Sequence, residues 1–298
     1  MRKIIAVMAA GSLLAGAALC GCSNPNQTQS SLSSDYSAAA DKSSSLAGKE
    51  ADSSQNQSMT AAQSNIKKNV LRNENFTDDG TFKYYSENGK AASLEGIDVS
   101  SYSGSIDWNR VKDSGVDFVM VRLGGRGYGD DGALYQDDRA AEYIQGAQAA
   151  GIKAGGYFFS QAITEEEAAQ EADKVKEILG EIQPDFPIAY DLETIKDDTA
   201  RTDNLSAAQA TACANAFCRQ IAGHGYTPMI YADAPALNEK YDTAKLAEYT
   251  LWYCEYADRP VCDTPFSMWQ YSKTGHVDGV EGTVDLNICF TNLATYAN

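Results

Sequence analysis

The chain has 298 residues, 43% of them hydrophobic, and a formal net charge of −17 from 24 basic and 41 acidic side chains. This length allows one large domain or two small ones. The negative charge argues against a nucleic-acid partner, since Lys and Arg contacts to phosphates supply most of that affinity. It also argues against any partner recognised mainly through its own negative charge.

The first 21 residues are typical of a secretory leader. Arg2 and Lys3 precede an uncharged, apolar run over 4–19 that ends in small residues. The run is roughly 16 residues long, shorter than the ~20 of a spanning helix, although an N-terminal transmembrane anchor is the alternative. Leu19-Cys20-Gly21-Cys22 resembles the bacterial lipoprotein box, which implies cleavage before Cys22 and a lipid on its thiol. Ordinary cleavage with incidental cysteines stays open.

Residues 22–65 are predicted to be a disordered tether. They are rich in Ser, Gln, Asn, Ala and Asp and nearly lack aromatic and branched side chains. As a flexible coil the segment would reach on the order of 35–40 Å. Residues 66–94 form a short extension with a strand at 81–85 and a turn at 87–90. We therefore expect a protein held by lipid on the outer face of the bacterial membrane, facing the cell wall.

From 95 to 298 short apolar runs alternate with amphipathic segments. Strands are predicted over 96–100, 116–123, 153–159, 186–192, 228–231, 249–253, 266–271 and 284–290, and helices over 106–112, 135–150, 164–179 and 206–222. Eight strands, with helices between the early ones, predict an α/β fold in the form of a parallel β/α barrel. A doubly wound open sheet is the alternative, but no GxGxxG opens a helix. The glycine-rich run 124–129 lacks the Lys-Ser/Thr ending of a phosphate loop and is predicted to be a flexible rim loop.

The remaining cysteines indicate no disulfide framework; they are Cys213, Cys218, Cys254, Cys262 and Cys289. An exported protein can form disulfides, and Cys254 could pair with Cys262, but buried thiols are favoured. No CxxC occurs, and His224 and His276 are the two histidines, so no zinc pattern is present. No GxSxG indicates a catalytic serine. We expect neither a metal nor an organic cofactor.

Two acids end the strand predicted over 186–192. Side chains alternate along a strand, so Asp191 and Glu193 should share one face. Two like charges at this spacing raise each other's pKa, which suits the pair to holding one proton near neutral pH. Glycoside hydrolysis needs such a pair: one carboxylic acid protonates the leaving oxygen, and a negative group stabilises an oxocarbenium-like state.

Two further acids are expected at the same mouth. Asp98 ends the first strand of the barrel and Asp285 lies in the last. First and last strands become neighbours when a barrel closes, so both carboxyl groups should approach Asp191 and Glu193. A helix cap or an exposed acid could explain any one of the four, but not readily all of them together.

Residues 96–290 resemble the glycoside hydrolase family 25 lysozymes, the Chalaropsis-type muramidases. The resemblance is carried, in family order, by Gly96-Ile97-Asp98-Val99-Ser100, Ile106-Asp107-Trp108, Asp117-Phe118-Val119, Gly155-Gly156-Tyr157-Phe158-Phe159, Ala189-Tyr190-Asp191-Leu192-Glu193, Ile230-Tyr231, Leu251-Trp252, Trp269-Gln270-Tyr271 and Val284-Asp285-Leu286-Asn287. It implies an irregular TIM-like barrel, (β/α)5(β)3, over 95–298.

The resemblance also implies an activity. The expected reaction is hydrolysis of the β-1,4 bond from N-acetylmuramic acid to N-acetylglucosamine in peptidoglycan glycan strands, by a monomer. Glu193 would be the general acid, and Asp191 would stabilise positive charge or orient the substrate's acetamido group. Asp98 and Asp285 would complete the acidic floor.

Aromatic side chains near strand ends are predicted to bind sugar rings. Tyr157, Tyr231, Trp252 and Trp269 could cover the apolar faces of pyranoses, with core packing as the alternative for each. Arg122 could pair with an acid of the cluster or with a carboxylate of the peptide stem.

The sequence leaves two other functions possible. A non-catalytic wall-binding lipoprotein would be marked by loss of Asp191 or Glu193, and both are present. A hydrolase of another acetamido sugar polymer, such as chitin, would be expected to carry DxxDxDxE, whereas Ala189 stands two places before Asp191.

Overall fold

The computed structural model of the protein describes residues 69–195 and 198–291. The predicted leader, the lipidation site Cys22 and the tether lie outside the described residues. The strands are β1 (Phe76–Asp78), β2 (Lys83–Glu87), β3 (Lys90–Ala91), β4 (Ser93–Val99), β5 (Phe118–Arg126), β6 (Leu134–Gln136), β7 (Lys153–Phe159), β8 (Ile188–Asp191), β9 (Pro228–Asp233), β10 (Thr250–Cys254), β11 (Met268–Gly275) and β12 (Val284–Phe290). The α-helices are α1 (Trp108–Asp113), α2 (Ala140–Ala149), α3 (Glu165–Leu179) and α4 (Ala207–Gly223).

Eight of these strands close into a barrel. The hydrogen-bonded order is β4-β12-β11-β10-β9-β8-β7-β5, and β5 pairs with β4 to complete the ring. From β4 through β5, β7, β8, β9 and β10 to β11 every pairing is parallel, whereas β12 is antiparallel to both β11 and β4. The carboxyl ends of seven strands and the amino end of β12 therefore lie at one mouth.

The predicted irregular TIM-like β/α barrel, (β/α)5(β)3, is wrong. The structure has an eight-stranded closed β-barrel with few helices, four α-helices in the part of the chain that it describes. Between β9 and β10 the described chain forms only the π-helical turn Ala236–Lys240 and the 3-10 turn Thr243–Lys245. The eight residues between β11 and β12 are too few for a parallel crossover, which needs a dozen or more, so β12 returns antiparallel.

The barrel strands bury different side chains on their two faces. One apolar cluster joins alternate strand residues such as Val119, Ile188 and Trp269 to helix residues such as Val175 and Phe217, and so lies between barrel and helices. The other cluster takes the intervening positions and fills the interior, with Phe118, Met120, Ala189, Met229, Tyr231, Trp252, Cys254 and Met268. The lower interior is thus a packed apolar plug, above which the inward positions become polar.

The longer helices begin where the sequence predicts. The Thr164 hydroxyl accepts a hydrogen bond from the Glu167 backbone N–H, and Ser206 forms a capping box with Gln209. α4 ends at Gly223 and is followed by the C-cap His224, whose ring lies 2.8 Å from the Asp173 carboxylate. No helix within residues 69–195 and 198–291 has the length and apolar character needed to cross a membrane.

The glycine-rich run over 124–129 is partly strand rather than the predicted flexible loop. β5 continues through Gly124 and Gly125 to Arg126 and pairs with β6. A Cβ on Gly124 would lie 2.2 Å from the Tyr135 carbonyl oxygen, so this close approach of two backbones requires glycine. Tyr135 accordingly belongs to β6 and does not begin a helix, which starts only at Ala140.

The extension before the barrel forms a three-stranded antiparallel sheet, β1-β2-β3. The predicted turn at 87–90 is confirmed: Asn88 and Gly89 have φ of 51° and 74° and join β2 to β3 as a two-residue hairpin. The buried Phe76 ring contacts Trp269 and Phe290 of the barrel, each at a centroid distance of 5.9 Å. The sheet therefore packs against the amino-terminal end of β4, where Phe290 pairs with Ser93.

Candidate active site

The barrel mouth collects polar and aromatic side chains from every strand around the ring. They lie at inward positions toward the mouth, where Tyr231, Trp252 and Cys254 belong to the apolar plug itself, and strand pairing brings the members of neighbouring strands side by side. In order around the barrel they are Asp98 on β4, Arg122 on β5, Tyr157 on β7, Asp191 on β8, Tyr231 on β9, Trp252 and Cys254 on β10, Gln270 on β11, and Asp285 and Asn287 on β12.

Asp98 is a buried carboxyl group held by two amides. Gln270 Nε2 and Asn287 Nδ2 each donate a hydrogen bond of 2.8 Å to Asp98 Oδ2. Gln270 is 3% exposed and Asn287 is fully buried, so both donors are shielded from bulk solvent. Burial raises the pKa of Asp98, and the two amides and Asp285 act against that rise.

Asp285 lies directly opposite Asp98 in the antiparallel β4–β12 pair, and the two carboxyl groups share a hydrogen bond. Burial and the charge of Asp98 raise the pKa of Asp285 to about 8, with Lys273 acting in the opposite direction. The negative charge of Asp98 thus favours a proton on Asp285. The structure thus brings Asp98 and Asp285 together, as the sequence predicts.

Asp191 and Glu193 sit at the end of β8, as the strand pattern indicates. β8 ends at Asp191, so Glu193 lies in the segment that follows; it is exposed, while Asp191 is 5% exposed. Burial, Glu193 and Asp98 together raise the pKa of Asp191 well above its ordinary range, against the opposing charge of Arg122. Asp191 Oδ1 has no hydrogen-bond partner among the described residues. A buried carboxyl oxygen without a protein partner is a candidate contact for a ligand.

Arg122 reaches the mouth but is paired with an acid outside the cluster. Its Nε and Nη2 atoms lie 2.9 and 2.7 Å from Asp137 Oδ2. Burial opposes ionisation of Asp137, but hydrogen bonds from Ser101, Arg139 and Arg122 outweigh it and lower the pKa of Asp137. The Arg122 guanidinium also lies 4.9 Å from the centre of the Tyr102 ring, which is 88% exposed. Arg122 thus links a buried ion pair to an exposed ring on the rim.

Three of the predicted sugar-binding aromatics lie together inside the mouth. The Trp252 ring contacts Tyr157 and Tyr231 edge-on, at centroid distances of 6.0 and 4.8 Å. Trp252 is 2% exposed and its indole N–H donates to Asn287 Oδ1 at 2.8 Å; the Tyr231 hydroxyl donates to Gln270 Oε1 at 2.9 Å. These rings form a floor beneath the carboxyl groups, and sugar contact through them stays a prediction.

Trp269 is not brought to the site. It alternates with the inward Met268 and Gln270 and so points out of the barrel, fully buried against Phe76 and Tyr271. Its indole N–H donates to the Glu255 backbone carbonyl at 2.8 Å. A ring in this position cannot stack on a sugar in the mouth.

The two amides that hold Asp98 were missed by reasoning from the sequence. Gln270 and Asn287 occupy inward positions with large apolar neighbours on their strands, and Asn287 lies two residues after Asp285 on the same face. An amide among large apolar side chains was the available signal, since a buried polar group needs a partner. The five cysteines of the described chain are all free, so Cys254 and Cys262 do not pair.

A cluster of carboxyl groups with unequal proton affinities, placed beside aromatic rings at the mouth of a barrel, is typical of the active site of a glycoside hydrolase. An ionised and a protonated carboxyl group within one site supply the base and the acid that cleavage of a glycosidic bond requires. Fold and site together define this class of enzyme.

Comparison with known proteins identifies the family. The profile of Glycosyl hydrolases family 25 matches residues 97–280, more than half of the chain, and the protein belongs to this family of glycoside hydrolases. The resemblance stated from the sequence motifs is thereby confirmed. Asp98, Asp191 and Glu193 fall inside the matched range, and Asp285 lies just beyond it.

Two relatives at the level of sequence are lysozymes. Lysozyme M1 of Streptomyces globisporus is 31% identical over 204 residues, which cover 65% of this chain and 67% of that protein. The autolytic lysozyme of Clostridium acetobutylicum is 27% identical over 195 residues, covering 65% of this chain and 55% of that protein. This chain therefore spans little more than half the length of the clostridial relative.

A solved structure shares the fold. The modular autolysin LytC of Streptococcus pneumoniae, determined in complex with a synthetic peptidoglycan ligand, superposes with a TM-score of 0.60 at 24% identity. The match covers 72% of this chain and 52% of LytC. At this identity the likeness supports the barrel fold alone.

Proposed function

We propose that the protein is a muramidase that cleaves the β-1,4 bond between N-acetylmuramic acid and N-acetylglucosamine in peptidoglycan. The observation that carries the proposal is the end of β8, where a buried Asp191 with a raised pKa is followed by an exposed Glu193. Family membership and the lysozyme names of the two relatives agree with it.

In this mechanism Glu193 is the general acid. It lies at the exposed edge of the cluster, where a glycan strand can reach it, and it protonates the leaving oxygen of the glycosidic bond. Asp191 lies deeper, with one carboxyl oxygen unpartnered among the described residues, and either stabilises positive charge on the sugar or orients its acetamido group. Asp98 and Asp285 form the acidic floor beside it.

The substrate is bound through sugar contacts rather than by charge. The chain carries a net charge of −17, which gives no long-range attraction to an anionic wall polymer. Tyr157, Tyr231 and Trp252 supply the aromatic surface, and the exposed Tyr102 extends it at the rim. The enzyme acts as a monomer.

We place the enzyme on the outer face of the cell membrane. A lipid on Cys22 anchors the chain, and the tether over 22–65 lifts the barrel toward the wall. Metabolic labelling with a radioactive or alkyne-tagged fatty acid tests this: wild type should incorporate the label and Cys22→Ser should not. Equal labelling of the two would contradict the anchor.

The hydrolytic activity is tested by clearing of purified cell wall in a gel. The wild type should clear the wall, and Glu193→Gln, which keeps the size of the side chain and removes the proton donor, should not. A wall-binding protein without catalysis would clear in neither form. Mass analysis of the fragments then identifies the bond, because a muramidase leaves reducing muramic acid ends.

A further inference from the structure

Asp98 accepts hydrogen bonds from both sides of its carboxyl group, and the donors are chemically different. On one side are two buried amides, Gln270 Nε2 and Asn287 Nδ2, each 2.8 Å from Oδ2. On the other is Asp285, a carboxyl group with which Asp98 shares one proton. The proton can sit on either acid, and the net charge of the pair is −1 in both arrangements.

The orientation of each amide is set by the donors that contact its carbonyl oxygen. The indole N–H of Trp252 can only donate, and it points at Asn287 Oδ1, so the Asn287 NH2 group must face Asp98. Two phenols, Tyr231 and Tyr256, donate to Gln270 Oε1 at 2.9 and 3.3 Å, which turns the Gln270 NH2 group the same way. Neither amide can flip without leaving a buried N–H or oxygen unpaired, which is unfavourable.

We propose that Gln270 and Asn287 are positioning residues that keep the negative charge of the Asp98–Asp285 pair on Asp98, the member that acts on Asp191. Two N–H donors stabilise a carboxylate and disfavour a carboxylic acid, so they direct the proton to Asp285. Neither carboxyl group moves. Only one proton shifts, along the hydrogen bond between Asp98 and Asp285.

The location of the charge matters because the two acids have different neighbours. Asp191 is influenced by Glu193, Asp98 and Arg122. Asp285 is influenced by Asp98, Glu193 and Lys273. Tyr157 faces the same group from β7 and stays neutral, because burial raises its pKa well above the ordinary range. A negative charge on Asp98 therefore favours a proton on the buried Asp191. A negative charge on Asp285 instead favours a proton on Glu193.

The two effects are unequal in size. Asp191 is buried and responds to a neighbouring charge through a medium of low dielectric constant, whereas Glu193 is exposed and screened by water. Moving the charge from Asp98 to Asp285 should thus lower the proton affinity of the Asp191–Glu193 pair as a whole. The pair would release its proton at a lower pH.

The test replaces Gln270 by methionine, which has a similar shape and no N–H donor. Aspartate carboxyl carbons are labelled with 13C, and the Asp191 signal is assigned by its loss in Asp191→Asn. We expect the Asp191 midpoint to fall by roughly half a pH unit or more in Gln270→Met. Gln161→Met is the matched control, a buried glutamine whose Oε1 accepts from Thr202 outside the cluster, and should leave the midpoint unchanged.

Activity supplies a second readout, which rests on the proposed function. On purified peptidoglycan the alkaline limb of the kcat/KM profile should move to lower pH in Gln270→Met and stay in place in Gln161→Met. Asn287→Ser removes the other amide and serves if Gln270→Met does not fold. Unchanged Asp191 midpoints in the folded variants would overturn the inference. A wild type that does not hydrolyse the wall would instead contradict the proposed function, and the NMR titration would still decide the inference.

Discussion

Asp285 makes the stability of the fold depend on pH. Its pKa is about 8 in the folded protein, against an ordinary value of 3.8. Between these values the folded state holds a proton that the unfolded chain has released, so stability falls as the pH rises through this window. The slope for a full proton is about 1.4 kcal/mol per pH unit, and the partial exposure of Asp285 narrows the pH window over which it applies.

Asp285→Asn removes this titration and keeps a donor toward Asp98, as the protonated acid does. We expect the variant to lose less stability than the wild type between pH 5 and pH 8, measured by urea unfolding at several pH values. Parallel curves for the two proteins would show that Asp285 does not hold the proton.

Sequence reasoning found the acids of the site because strand alternation and strand ends are visible in the residues. Asp191 and Glu193 stand two apart at the end of an apolar run, and Asp98 and Asp285 end or begin strands that must meet when a barrel closes. The prediction for Trp269 was wrong for a physical reason. Alternation shows which residues share one face of a strand, but not which face points into the barrel. Its neighbour Gln270 is the inward one.

A buried ion pair ties α3 to the ends of β5 and β7. Arg126 Nε donates to Glu171 Oε1 at 2.9 Å, and the Ser160 hydroxyl donates to Glu171 Oε2 at 2.6 Å. Glu171 is fully buried, and burial raises its pKa to about 7 despite the nearby Arg126. The helix is thus fastened to the strands beside the mouth by one carboxylate.

Arg126→Met should destabilise the fold by roughly 3 kcal/mol at pH 8, because it leaves the Glu171 charge buried and unpaired. The loss should be smaller at pH 5, where Glu171 is protonated. Urea unfolding at both pH values measures the difference. Arg139→Met, which breaks the exposed pair with Glu142, is the control and should cost about 1 kcal/mol or less at either pH. Equal losses for the two variants would argue against a structural role for the buried pair.

Elements with local signals were predicted well, and those fixed by distant contacts were not. The caps Thr164 and Ser206 mark their helices in the sequence, and Asn88-Gly89 marks its hairpin. The antiparallel direction of β12 is set by the short connection after β11, and the pairing of β6 with β5 depends on the glycines facing Tyr135. Apolar periodicity carries no information on strand direction, so a fully parallel barrel was expected.

The extension and the barrel share one apolar core. Phe76 on β1 is 4% exposed and contacts Tyr85 of the small sheet and Trp269 and Phe290 of the barrel, and the Arg259 guanidinium lies 5.3 Å from its ring centre. The described part of the extension and the barrel are therefore packed as one body.

Phe76→Ala should lower the stability of the whole barrel by about 3–5 kcal/mol, through the cavity and the lost burial of its ring. Thermal unfolding followed at once by far-UV circular dichroism and tryptophan fluorescence should show a single, shifted transition. Val261→Ala is the control, since Val261 is 77% exposed and its truncation should cost about 0.5 kcal/mol or less. Loss of the extension alone, with the barrel transition in place, would contradict the shared core.

The central claim is that a proton donated by Glu193 breaks the glycan strand. The most direct measurement compares soluble muropeptides released from purified peptidoglycan by wild type, Glu193→Gln and the distant variant Val261→Ala, with circular dichroism confirming that all three are folded. We predict fragments with reducing muramic acid ends from wild type and Val261→Ala, and a rate at least roughly 100-fold lower for Glu193→Gln. Release by Glu193→Gln at the wild-type rate, or fragments with reducing glucosamine ends, would contradict the account.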